Sequence, residues 1–308
     1  MVAADLHDFN LAATGHISLS WSVMDTRNQQ WHTPPSRITL GADEVHIWRA
    51  SLDVSVDLLS RLHSSLSDDE WARVDRFHFE KDRVQFTAAH GILRDIVGRY
   101  LDVAPAELRF GVGPHGKPAL QGTAAGERVE FNMSHSRWMA LFAVASHRAV
   151  GVDIEYIRGD VAYEKIAGRF FHDTEEAYLR RLTEQERRGA FFVHWTYKEA
   201  YIKGRGRGLS IPTRSFIVRV MDDGRATVDH AGAPEADGGT PAGPAPAWRT
   251  EADVRAVDTT AGPVPPGHAG RETGQPKHWC LFALDPAPGY AGAVAIEGDA
   301  ARLVLWDW

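Results

Sequence analysis

The sequence predicts an α+β fold made of two similar α/β halves, and three observations carry the prediction. A helical pattern running to about Leu101 is followed by strand-length apolar stretches, and a second one, from about 161 to 203, is followed by another set. The two sets are of similar size, which suggests a duplicated unit. The chain, 308 residues with 44% hydrophobic and 24% charged content, is long enough for a sizeable core or two small ones.

Residues 1–42 are mixed in character and contain "TPP" at 33–35, so they read as an extended lead-in. The first half, 43–150, opens with a strand-like "VHIWRASL" at 45–52. Ser67 and Glu70 then have capping-box spacing, and Phe77, Phe86, Ile92, Leu93, Ile96 and Val97 continue a helical pattern. "ELRFGVGPHGKPAL" at 107–120 reads as a short strand and a turn-rich loop closing on Gly116, Lys117 and Pro118. Strands are expected within 131–146 and at 149–157. The second half, 151–308, carries the helical stretch and then strands at 215–220, 278–285 and 290–298. Residues 223–277 are rich in Gly and Pro, with Trp248 the only aromatic, and are expected to be a disordered insertion at a hairpin tip.

Bulk properties exclude several classes. A formal net charge of -7 gives no global basic footprint, so neither nucleic acid nor an anionic membrane is an expected partner. The single cysteine, Cys280, rules out an internal disulfide and Cys-rich zinc sites. Neither a leader-like start nor an 18-residue apolar stretch occurs, and a cytoplasmic location is expected.

Three motifs carry chemistry. In "GVDIEYI" (151–157), Asp153 and Glu155 share one strand face opposite Val152 and Ile154, with Cα atoms roughly 6.6 Å apart at a rise of about 3.3 Å per residue. Two carboxylates beside a core need a cation between them, although on an exposed edge they would simply be solvated. In "WTYKEAYIKGRGRGL" (195–209), Glu199 and Lys203 lie four apart on one helix face, with Gly204 marking the helix end. An ordinary surface pair would look the same. In "GPHGKPAL" and "FNMSHS" (131–136), Lys117 can bring charge to a phosphate, while Ser134 and His135, as strand neighbours, point apart and cannot be a nucleophile and its base. Zincin, zinc-ribbon and P-loop spacings are absent.

Taken in order, "GKPAL", "FNMSHS", "VGVDIEYI", "RFFHDTEE" and "FFVHWTYKEAYIKGRGRGL" closely resemble the 4′-phosphopantetheinyl transferases, specifically the monomeric surfactin-type group, over roughly residues 45 to 220. The resemblance implies a pseudo-dimeric α+β fold with coenzyme A as co-substrate and Mg²⁺, or alternatively Mn²⁺, in the cleft between the halves. It implies transfer of phosphopantetheine to a serine of an apo acyl, peptidyl or aryl carrier protein, with release of adenosine 3′,5′-bisphosphate. Asp153 and Glu155 match the family's metal pair. Glu199 matches a glutamate that is either a third ligand or the base for the carrier serine. Lys203 matches the lysine on the pyrophosphate, His135, beside Ser134, matches a phosphate-contacting histidine, and Lys117 matches the lysine at the nucleotide end. Lys198 also matches, but points about 100° from Glu199 on the helix; Trp195 is expected to pack. For the 3′-phosphate, the nominated residues are Arg73 and Arg83, with Gln85 and Glu70 departing from the basic residues of relatives. Carrier docking is expected beside the cleft, near Arg205 and Arg207.

Two other readings compete. Paired acids could belong to a glycosidase, but those carboxyls come from separate elements across the sugar, and this pair shares one strand. A non-catalytic homologue that only binds coenzyme A or a carrier protein would be marked by loss of a metal acid or of Lys203, and neither is lost.

Overall fold

The predicted strand groups form two sheets that pack face to face. The computed structural model describes residues 29–112, 117–121, 129–208, 211–230, 278–298 and 301–308. Residues 1–28 of the expected lead-in, Gly116, and residues 231–277 of the expected insertion, with Trp248, lie outside the described residues.

In chain order the elements are β1 (Glu44–Ser51), α1 (Val56–Ser64), α2 (Asp68–Arg76), α3 (Glu80–Leu101), β2 (Phe110–Val112), β3 (Pro118–Leu120), β4 (Val129–Ser136), β5 (Met139–Ser146) and β6 (Val150–Tyr156). They continue with α4 (Tyr163–Phe170), α5 (Asp173–Arg181), α6 (Glu184–Arg205), β7 (Phe216–Val220), β8 (Arg225–His230), β9 (Trp279–Leu284), β10 (Tyr290–Glu297) and β11 (Arg302–Asp307). One sheet has the order β11-β1-β5-β4, the other β6-β10-β9-β8-β7, and β2 pairs with β3 alone.

Alternation along the strands builds a four-layer arrangement. Val45, Ile47, Leu141 and Ala143 of the first sheet share a core with Val150, Val152, Ile154, Val294 and Ile296 of the second. The opposite face of the first sheet takes Ile92, Ile96 and Val97 of α3 against Trp48 and Phe142. The opposite face of the second takes Tyr197, Ala200 and Tyr201 of α6 against Leu281, Ala293 and Ala295. Each fully buried aliphatic or Phe side chain in these layers contributes about 1.5 to 3 kcal/mol.

The helices start where their caps place them. Ser67 and Glu70 form the predicted capping box on α2, and Thr183 with Glu186 forms another on α6. Four features differ from expectation. α1, started by the Ser55 cap, was not foreseen. Gly204 lies inside α6, whose end is set instead by Gly206 at φ +63°. β8 occupies residues 225–230, so the expected insertion begins with an ordered strand paired to β7. β11 runs parallel to β1 and so belongs to the first half's sheet, not the second's. The last strand is short, and its partner lies far back in sequence, where local pattern carries no information.

Candidate active site

The halves meet where two edge strands run side by side, β4 from the first sheet and β6 from the second. An edge strand exposes backbone donors that need partners. Here alternate side chains of β4 supply them: Asn132 Oδ1 accepts from the Val152 amide at 2.8 Å, and Ser136 Oγ from the Tyr156 amide at 3.1 Å. Between them, Ser134 Oγ donates to Asp153 Oδ1 at 2.9 Å. Ser136 Oγ lies 3.2 Å from Glu155 Oε2. The motif "NMSHS" is thus a polar strip that joins the halves and engages both acids.

α6 lies directly on the Asp153 face because that face is made of small residues. Gly151, Asp153 and Glu155 of β6 stand opposite Ala295, Ala293 and Ala291 of β10. A Cβ at Gly151 would sit 2.1 Å from the Ala200 carbonyl oxygen and 2.2 Å from the Gly204 nitrogen; one at Gly204 would sit 2.6 Å from the Trp279 ring. This close approach lets Lys203 reach across: its Nζ donates to Asp153 Oδ1 at 2.6 Å and to Ser134 Oγ at 2.7 Å. Asp153 is 1% exposed, so the cation that the acid pair demanded is, in this conformation, the Lys203 ammonium.

The remaining candidates divide. Glu199 is buried one turn before Lys203, and Glu155 is buried on β6. His135 is half-buried on β4, and strand alternation turns it away from Ser134. Lys117 lies against the start of β6, with Nζ 3.2 Å from the Val150 carbonyl oxygen and 3.8 Å from Glu130 Oε2. Burial pushes its pKa down, while Glu130 and Glu297 oppose the shift. Arg73 stands 5.0 Å over the Phe86 ring. Arg83 donates from Nε to the Phe77 carbonyl at 2.9 Å. Arg205, at the end of α6, donates to the Tyr201 hydroxyl at 2.7 Å.

Lys198 has surroundings unlike those of Lys203. It is 0% exposed and donates to the carbonyls of Thr213 and Phe216, both at 2.8 Å, with Glu175 Oε2 also at 2.8 Å. The ammonium therefore ties α6 to α5 and β7. Burial lowers its pKa, and the Glu175 charge opposes that. Trp195 packs, as expected, among Phe170, Phe171 and Phe191. The two departures near the proposed 3′-phosphate site also have structural work. Glu70 holds Arg94 Nε at 2.7 Å and His90 Nδ1 at 2.9 Å, and Gln85 donates to the Arg137 carbonyl at 2.5 Å, holding the β4–β5 turn.

Among the described residues no three His, Cys, Asp or Glu side chains converge as a metal-binding group. The predicted trio of Asp153, Glu155 and Glu199 is not gathered in this conformation, where Lys203 takes Asp153 Oδ1. Its chemistry nevertheless fits a hard divalent cation, because all donors are carboxylates and Asp153 Oδ2 is buried without a hydrogen-bond partner. Sequence reasoning missed Asn132, Ser136, Gly151 and Glu175. The alternation of Asn132, Ser134 and Ser136 along one strand face was the signal available for the first two.

Comparison with known proteins places the chain in a family. Residues 149–240 match the family model of the 4′-phosphopantetheinyl transferase superfamily, and residues 48–147 match that of the 4′-phosphopantetheinyl transferase N-terminal region. The 4′-phosphopantetheinyl transferase HetI of Nostoc sp. is 43% identical over 180 residues, covering 58% of this chain and 76% of that protein. The 4′-phosphopantetheinyl transferase Sfp of Bacillus subtilis is 30% identical over 170 residues, covering 55% and 73%. The 4′-phosphopantetheinyl transferase gsp of Aneurinibacillus migulanus is 31% identical over 158 residues, covering 51% and 63%. The two-half fold and its similarities thus define the class, a group transferase. The chain belongs to the 4′-phosphopantetheinyl transferase superfamily, with relatives that include the Sfp type.

Proposed function

We propose that this transferase moves the phosphopantetheine arm of coenzyme A onto a serine hydroxyl of an apo acyl, peptidyl or aryl carrier protein, with Mg²⁺, releasing adenosine 3′,5′-bisphosphate. The observation that carries this reading is the meeting of Asp153 on β6, Ser134 on β4 and Lys203 on α6 at the junction of the halves, Nζ to Oδ1 2.6 Å. These residues belong to three of the five motifs on which the family resemblance rests.

In the reaction the serine oxygen bonds to the phosphorus on the pantetheine side of the pyrophosphate. The bridging P–O bond breaks, and its electron pair leaves with adenosine 3′,5′-bisphosphate. Such transfers depend on positioning and charge neutralisation more than on covalent help. Asp153, Glu155 and Glu199 would hold Mg²⁺, which neutralises pyrophosphate charge when bound. Lys203 stabilises the leaving bisphosphate and His135 orients a phosphate oxygen; in the alternative to a ligand role, Glu199 accepts the serine proton. The two halves lie in one chain, so we read the active unit as a monomer. Among the described residues no helix is long and apolar enough to cross a membrane.

The test is chromatographic detection of adenosine 3′,5′-bisphosphate. Its release should require coenzyme A, an apo carrier and Mg²⁺ together, and Asp153→Asn should lower the rate on the order of a hundredfold or more. Carrier-dependent release at the wild-type rate in Asp153→Asn would refute the role given to this acid.

A further inference from the structure

We propose that the Lys203 ammonium is the built-in counter-cation of Asp153 in the coenzyme-free protein, and that it opposes divalent-cation binding until the pyrophosphate of coenzyme A draws it away. The proposal deepens the reading above and rests on it. Asp153 is 1% exposed, and a carboxylate so deeply buried needs a countercharge. Lys203 provides one at 2.6 Å, and Ser134 Oγ, 2.7 Å from Nζ and 2.9 Å from Oδ1, closes a triangle that holds the ammonium in place.

The other oxygen of the same carboxylate, Oδ2, is buried without a hydrogen-bond partner. A divalent cation on Oδ2 would face the ammonium on Oδ1 across one carboxyl group. Like charges at that range repel strongly in a buried setting, so the two occupants weaken each other. Moving the helix off would expose the core in which Tyr197, Ala200 and Tyr201 pack on Leu281, Ala293 and Ala295. Relief comes only from rotation of the flexible lysine side chain, and a pyrophosphate provides the anionic partner that makes rotation favourable. Metal and coenzyme A therefore load cooperatively, and by linkage each raises the affinity of the other. The same event frees Asp153 and moves Lys203 onto the pyrophosphate.

The experiment follows Mn²⁺ binding to the full chain by electron paramagnetic resonance, with no carrier and no turnover. Without coenzyme A, Lys203→Met should bind Mn²⁺ on the order of tenfold more tightly than wild type. Lys203→Arg, which keeps the charge, should stay within about threefold of wild type. Coenzyme A should raise Mn²⁺ affinity more in wild type than in Lys203→Met. Far-UV circular dichroism checks the fold of each variant. A wild-type measurement keeps the test open if Lys203→Met does not fold: Mg²⁺ should raise labelling of Lys203 by an amine reagent while the enclosed Lys198 stays unlabelled. Unchanged or weaker Mn²⁺ binding in Lys203→Met, or Mg²⁺-independent labelling of Lys203, overturns the proposal. If Asp153→Asn still abolishes Mn²⁺ binding, the metal reading stands without it; Mn²⁺ binding indifferent to Asp153→Asn removes both.

Discussion

Lys198 and Lys203 sit five positions apart on α6, about 140° around the helix, and their surroundings give them opposite work. Lys203 meets Asp153 at the junction of the halves, whereas Lys198 is sealed between Glu175 and two carbonyls. Sequence motif placed both at the ligand, and only burial separates them. Lys198→Met should therefore cost about 3 to 5 kcal/mol by leaving the Glu175 carboxylate in the core without its cation, on the His172 and Val218 amides alone. The KM for coenzyme A should stay within about twofold of wild type. A tenfold rise in that KM with unchanged denaturation midpoint would restore Lys198 to the ligand. Glu70 gives a pH prediction. Burial alone would raise its pKa, but the His90 hydrogen bond and charge, Arg94 and the Ser67 amide bring it down to about 2. A folded pKa below the ordinary carboxylate value means stability that is present above about pH 4.5 and lost as pH falls toward 2. The loss is about 3 kcal/mol. Urea titrations should show this fall in wild type and a flatter profile, from a lower starting stability, in Glu70→Gln.

At the scale of elements, the site depends on how closely α6 approaches β6. Gly151 is the control point, since an added Cβ would meet backbone at 2.1 Å and backbone cannot turn aside. Gly151→Ala should lower stability by at least about 1 to 3 kcal/mol. By pushing α6, with Glu199 and Lys203, away from β6 it should also slow transfer on the order of a hundredfold. Thermal unfolding and initial rates check this, and wild-type values in both would contradict the close packing. The acid pair, Glu199 and Lys203 were readable in sequence because helix and strand periods place them on one face each. The small-residue stripe was not, because Gly151 and Ala293 acquire meaning only once β6 and β10 pair. Likewise the role of Glu175 depends on a helix contact that no local pattern displays.

At the scale of the molecule, the duplicated plan was readable from the order of helical and strand stretches, and the two sheets follow it. The exchange of β11 into the first sheet was not. Leu303 and Leu305 complete the core between the sheets, and Trp306 Nε1 donates to His46 Nδ1 at 3.2 Å, so the last strand fastens the halves together. That fastening matters for function because the site lies on the seam, with Ser134 from one sheet and Asp153 from the other. We propose that phosphopantetheine passes to a carrier serine at this seam. Intact-mass measurement of several apo carrier proteins, each incubated with the protein, coenzyme A and Mg²⁺, tests it most directly. At least one carrier should gain the mass of one phosphopantetheine group, and the gain should be absent when the carrier serine is replaced by alanine. No mass gain on any carrier, with the protein folded and coenzyme A intact, would contradict it.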